Sequence, residues 1–476
     1  MTRKRFGVSA RARRLVLGVF MSSSLAACGG GGSSATTSSA SSSSTGATGT
    51  TGATAGTGGS NSVAYAVGGA LAGLASGRTL KLLDNGSDAL TLSSDGSFQF
   101  ARQVPATNGY NVTIASQPGG QFCRVSNGSE SSLQADVSDV AVDCSSLQVY
   151  DINETQGTVS QFDVGIDGGL TPMVPPSVTA VAGNSQLATD STGAHLYVPD
   201  AAADVVLQYS VAADGTLVPL SPASVATTGT GPWGITADPS APYVFVTNKA
   251  SDTVSVFTIT GGGALRLVSA PVTATGGDPH HIVVDPTGRY VYVSNKTGNS
   301  VSQYTIGRGG MLQPMTPTSV LAGTAPNALA VDSSGQALYV ADTISDVLSQ
   351  FTVGADGALS PMTPPTVPAG TDPFSLAVDP AASFVYVLDH DGTNSQILEF
   401  AIGSSGALTP LSPASVATGP DVYGVAIDPG GRYVYVSSAS SNKLYPYLIG
   451  SNGQLTPLSI ASVGTGTGPA GIAMVP

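Results

Sequence analysis

The chain has 476 residues, with 17 Lys and Arg against 30 Asp and Glu, and six of the basic residues fall in its first 14 positions. The 11 basic residues that follow face all 30 acidic ones, which excludes a basic face for nucleic acid or charge-driven docking on an anionic bilayer. With 60 Gly, 31 Pro and 10% charged residues, this is the composition of a turn-dense β protein longer than one ordinary domain.

Residues 1–27 read as a signal peptide: Arg3, Lys4 and Arg5 precede the apolar run Leu15 to Met21. Leu25-Ala-Ala-Cys28 resembles the lipobox of bacterial lipoproteins, which implies cleavage before Cys28 and acylation of its thiol and new amine. Each buried methylene adds roughly 0.8 kcal/mol, so several acyl chains would hold the protein on a membrane without a transmembrane helix. Gly29 and Gly30 in place of an acidic residue point to the outer membrane of a Gram-negative cell envelope. Residues 28–61, nearly all Gly, Ser, Thr and Ala, cannot bury enough apolar surface to order themselves and form a lipid-anchored linker.

Residues 62–145 carry alternating runs at 80–83, 89–92, 98–101, 110–114, 122–125 and 140–144, separated by turns such as Asp84-Asn-Gly86 and Ser94-Asp-Gly96. They predict a small β-sandwich. Once Cys28 is acylated, Cys123 and Cys144 are the remaining cysteines, and in an oxidising compartment they are expected to pair. A metal site built from two Cys alone would be incomplete.

From residue 146 to the end the sequence repeats. The strand-like run Gly288-Arg-Tyr-Val-Tyr-Val-Ser-Asn295 has six relatives, aligned on Tyr150, Tyr197, Phe245, Tyr292, Tyr339, Tyr386 and Tyr435. The spacings are 47, 48, 47, 47, 47 and 49 residues. Each copy has four alternating segments separated by turns such as Asp285-Pro-Thr-Gly288. Four strands at this period predict an all-β, seven-bladed β-propeller. The first copy starts at its second strand, near Leu147, and the chain ends on a lone first strand, Gly471-Ile-Ala-Met-Val475. The last strand is expected to close the first blade, leaving no open sheet edge.

The first position of each inner strand is readable as Ser185, Trp233, His280, Asn327, Phe374, Tyr423 and Ala470. These residues are expected around the mouth of the central channel, with Asn248, Lys249, Asn295, Lys296, Asp342 and His390 among the loop residues on its rim. A few polar groups converging on an apolar hollow describe a small-ligand site, for which Trp233, Asn327, Phe374, Tyr423, Asn295 and Lys296 are the candidate ligand-binding residues. The competing reading is that they cap the channel and pack between blades. His280 and His281 are the candidate catalytic bases. Strict strand alternation lets one of the two line the channel and turns the other toward a blade face, so together they cannot hold a metal. Asp163 to Gly168 looks like a calcium loop without its distal Glu and fits a hairpin turn better. No Walker loop, dinucleotide fingerprint or G-x-S-x-G elbow is present in the repeat region, and no cofactor is expected.

Tyr243-Val-Phe-Val-Thr-Asn248, Tyr290-Val-Tyr-Val-Ser-Asn295 and Pro279-His-His-Ile-Val-Val-Asp-Pro-Thr-Gly-Arg-Tyr290 resemble the YVTN-repeat and lactonase-type seven-bladed propellers, a group that includes 6-phosphogluconolactonase and a muconate-cycloisomerising relative. The resemblance implies His and Arg near the channel, for acid–base work and for binding anionic substrate groups. Only the His carries over, at His280 or His281; the equivalent slots at Trp233 and Asn327 bring no Arg. Two functions are therefore expected. One is a lipid-anchored binding or scaffolding propeller, expected to be a monomer, for a protein, glycan or small ligand. The other is an extracytoplasmic lactone hydrolase with a histidine base.

Overall fold

The computed structural model describes residues 63–183, 186–268, 273–459 and 462–475. The signal segment, the lipidation candidate Cys28, the linker and Ser185 lie outside the described residues.

The repeats form seven antiparallel sheets whose strands follow one another in chain order, inner to outer. They are numbered here as blades 1 to 7, after the aligned residues Tyr150 to Tyr435. Blade 1 is the exception to chain order: its innermost strand is Pro469–Val475, paired antiparallel with Gln148–Asn153 so that Ala473 faces Tyr150. The ring closes as the repeat pattern predicts.

Three sequence features build each blade. The aspartate of the first turn folds it: Asp285 accepts hydrogen bonds from the backbone N–H groups of Thr287, Arg289 and Tyr290 at 3.0, 2.7 and 2.6 Å. Gly288 beside it has φ +67°, which L side chains rarely adopt. The second strand, Tyr290–Asn295 in blade 4, is fully buried because both faces pack on neighbouring blades. Accordingly the apolar clusters mix adjacent blades, as where Tyr150 and Val159 meet Leu196 and Tyr209. The aligned tyrosines add a directional lock. Tyr292 donates to the carbonyl of Gly357 in the next blade at 2.7 Å, and Tyr197, Tyr386 and Tyr435 do the same to Gly263, Gly453 and Gly168.

A second lock lies opposite these tyrosines. Gln161, Gln208, Gln303 and Gln350 each donate to a proline carbonyl of their own blade and accept the N–H of a leucine in the next. Glu399 fills the slot in blade 6 and accepts from Leu455 N–H at 2.7 Å. As a carboxylate it has no proton for a proline carbonyl, and burial, at 1% exposure, raises its pKa. A raised carboxyl pKa favours folding fully below the ordinary value near 4.5, and that contribution fades as pH climbs through the folded-state value. Glu399→Gln should therefore gain about 1 kcal/mol at pH 7 and less at pH 4. Equal melting temperatures for the two proteins at pH 7 would remove the argument.

Residues before 146 form two four-stranded sheets enclosing one core of Val67, Leu71, Leu80, Leu82, Val112, Val140 and Val142. All six strand-like runs of the sequence are strands. The longest of the strands that the sequence did not show, Val67–Ala72, lies parallel to Val137–Ser146. Gly68 and Gly69 interrupt its apolar pattern and hide it, yet the packing demands them: a Cβ on Gly69 would sit 1.8 Å from the Val140 carbonyl oxygen. Cys123 and Cys144 face each other across adjacent strands and form a disulfide. It closes a loop of 21 residues, so Cys144→Ser should cost roughly 3 kcal/mol in chemical denaturation, and a loss under 1 kcal/mol would show the pair to be incidental.

Candidate functional site at the channel mouth

Inner strands of all seven blades surround a cavity of about 440 Å³, bordered by His280, His281, Asn327, Phe374, Tyr423 and Ala470 among others. At one end the first inner-strand residues and the rim loops gather into two groups.

On blades 3 and 4 the group is cationic and aromatic. The rings of Trp233 and His280 meet at a 49° tilt with centroids 5.4 Å apart. Lys249 Nζ lies 4.4 Å from the Trp233 ring centroid, 3.4 Å from His280 Nε2 and 3.9 Å from Asp278 Oδ1. Burial pulls the His280 pKa down to about 3, assisted by the positive charges of Lys296 and Lys249, so the imidazole is neutral. Burial and Lys249 also lower the pKa of Lys296, which places both ammonium groups in one electrostatic neighbourhood. His281 is held near 4 by burial, and its Nδ1 is buried without a hydrogen-bond partner.

The expected alternation fails at this histidine pair. The ladder between Pro279–Val284 and Tyr290–Asn295 slips between Pro279 and Ile282, and both histidines border the cavity. Sequence periodicity cannot reveal such a bulge, because the extra residue leaves the flanking pattern intact.

On blades 6 and 7, Phe374, Tyr423 and His390 form an aromatic trio with centroids 4.8 to 5.6 Å apart. His390 bridges two carboxylates, with Nδ1 3.2 Å from Asp372 Oδ2 and Nε2 2.9 Å from Asp421 Oδ1. The hydrogen bond to Asp372 is the main reason its pKa rises. A histidine stabilised in its charged form strengthens the fold below its ordinary pKa of about 6.5, and the benefit is lost as pH rises through the folded value. The melting temperature of the wild type should therefore fall between pH 6 and 9 more steeply than that of His390→Asn. Parallel profiles would mean that the bridge is not charged.

Between the two groups, Asn327 donates to the Phe374 carbonyl at 2.7 Å and keeps its Oδ1 buried and unpartnered, as is Trp233 Nε1. Unsatisfied buried donors and acceptors are costly and uncommon, and Trp233 Nε1, His281 Nδ1 and Asn327 Oδ1 bring three of them to the channel.

The remaining sequence candidates divide. Lys296 belongs to the mouth. Asn295 does not: it is fully buried, donates to Ser300 and Ser302 and accepts from the Gly276 N–H, so it shapes its own loop. Asn248 does the same toward Thr253 and Ser255. The strand-end position that holds both residues points inward between blades. Asp278, Asp372 and Asp421 were not among the candidates. Their signal is present in the sequence: each stands two residues before an imidazole or aromatic, at His280, Phe374 and Tyr423. Among the described residues no group of three or more His, Cys, Asp or Glu could hold a metal ion.

Seven sheets closed into a ring around a polar and aromatic channel mouth define a β-propeller. The chain belongs to the family described as Lactonase, 7-bladed beta-propeller, whose model matches residues 88–371 and 353–471. Among solved structures it is similar to the periplasmic gluconolactonase PpgL of Pseudomonas aeruginosa, with 22% identity, TM-score 0.56, and coverage of 70% of this chain and 99% of that one. A Bacteroides fragilis protein provisionally described as a 6-phosphogluconolactonase has 20% identity, TM-score 0.60, and coverage of 69% and 98%. At these identities the likeness carries the fold. No curated protein matches the sequence.

Proposed function

We propose that this protein is a cell-envelope propeller, anchored through acylated Cys28, that binds a polyhydroxylated organic acid or its lactone at the channel mouth. The observation that carries the reading is the convergence of Lys249 and Lys296 on neutral His280 beside Trp233. Ammonium groups recognise a carboxylate or phosphate as point charges. The indole and the Phe374–Tyr423 pair offer flat apolar faces to a sugar-like ring, while Asp372 and Asp421 can accept from its hydroxyls. The protein acts as a monomer, with the linker holding the propeller off the membrane.

Hydrolysis is the second reading, favoured by the family and by an imidazole that is unprotonated and able to take a proton from water. Its weakness is the same pKa of about 3, which makes His280 a poor proton acceptor at neutral pH. Calorimetric titration with gluconate and 6-phosphogluconate, beside turnover measurements on the corresponding lactones, decides between the two. Saturable binding without turnover is expected. Turnover abolished by His280→Gln or His281→Gln replaces the binding reading with the hydrolase, and neither binding nor turnover overturns both.

A further inference from the structure

We propose that the junction between the N-terminal sandwich and blades 1 and 7 is a second ligand site, one that takes a carboxylate, phosphate or sulfate group. A cleft of about 580 Å³ opens there, lined by Arg78, Gln117 and Gly119 from the sandwich, Ile166 from blade 1, and Gly430 and Arg432 from blade 7. Arg432 is fixed in place. Its Nη1 donates to the Gln117 carbonyl at 3.4 Å, its Nη2 to the Tyr433 hydroxyl at 3.2 Å, and its guanidinium lies 5.1 Å from the Tyr433 ring centroid. Arg78 lines the same cleft from the sandwich, and both guanidinium charges oppose the burial that raises the Tyr433 pKa. Its Nη1 is buried and has no hydrogen-bond partner.

Two cations bordering one cleft call for a counter-charge, and no acidic side chain lines it. The carboxylates that act on Tyr433 lie outside the cleft lining, and Asp428 also acts on the charge of Arg432. Asp428 accepts from the N–H groups of Gly430, Arg432 and Tyr433, and Asp167 from that of Gly169. The arrangement is conspicuous because only 11 basic residues follow position 14. Planar guanidinium forks match the paired oxygens of an oxyanion, and a buried N–H without a partner is a donor already desolvated for it. The exposed flank of Ile166 lets the oxyanion belong to a larger molecule, either a free acid or an acidic glycan.

The test uses the full chain carrying Lys249→Met and Lys296→Met, so that failure of the channel-mouth reading leaves it untouched. Inorganic phosphate should bind saturably and raise the melting temperature by roughly 2 °C at ten times its dissociation constant. Arg78→Gln should weaken phosphate at least tenfold, while Arg78→Lys keeps part of the affinity. Polygalacturonate binding more tightly per residue than glucuronate would identify a glycan as the natural source, and equal affinities a small acid. No saturable phosphate effect overturns the proposal. So does an Arg78→Gln protein that melts lower yet binds phosphate unchanged, since Arg78 would then only dock the two domains.

Discussion

Deleting residues 469–476 should abolish cooperative folding of the propeller or lower its melting temperature by tens of degrees. The deletion strips blade 1 of its inner strand and exposes the full backbone edge of Gln148–Asn153. It also removes the buried side chains of Ala470 and Val475 and the partly buried Ile472 and Met474, which pack against blades 1, 2 and 7. Burial at about 25 cal/mol per Å² makes this several kcal/mol before any ladder hydrogen bond is counted, against a total stability on the order of 5–15 kcal/mol. The backbone edge adds a template for aggregation. A synthetic peptide of residues 469–476 should restore much of the loss, because the slot it fills is formed by the rest of the ring. A truncated protein that melts within a few degrees of the parent would show that closure contributes little.

Replacing Lys249 and Lys296 together by Met should weaken binding of an organic acid by about two to three orders of magnitude. Met keeps the apolar stems and removes only the charges. Each charge-assisted hydrogen bond to a ligand contributes roughly 1.5–3 kcal/mol, and each 1.4 kcal/mol is tenfold in affinity. Two further readouts separate recognition from simple loss of structure. Wild-type affinity should fall at high salt, because the mouth is open to solvent. It should also fall at lower alkaline pH than for an ordinary lysine, because Lys296 gives up its proton early. A double variant that melts normally and binds within threefold of wild type would remove the lysines from the site.

Fold was legible because each blade repeats the same local code: an Asp-led turn, a doubly buried strand and a tyrosine at fixed spacing. The inner strand donated by the chain end followed from counting strands. What escaped was local irregularity. The strand at Val67–Ala72 was hidden by glycines needed for close backbone contact, and the slip at His280–His281 broke an alternation the sequence displays. The site was half legible for a related reason. Positions on the channel follow from the repeat, but whether a polar side chain turns toward the mouth or into its own loop depends on the partners it finds there. Asn295 finds two serines and turns inward. Lys296, one residue on, finds no such partner and contributes to the mouth.

The locks between blades are not evenly spread. Blade 3 carries Phe245 where other blades have the locking tyrosine, and Val256 where four of them have glutamine. Neither can hydrogen-bond across to blade 4; both pack there against Val291, Val293 and Tyr304 instead. This seam runs between Trp233 and Lys249 on one side and His280 and Lys296 on the other, so the two halves of the cationic group are mounted on neighbours that lack both the tyrosine and the glutamine lock. A ligand seated there would act as a staple, adding a polar tie between two sheets that otherwise meet through apolar packing and the Thr247 hydrogen bond to the His280 carbonyl. Amide exchange along Tyr243–Asn248 and Tyr290–Asn295 should slow when the mouth is occupied, more than along any other pair of second strands.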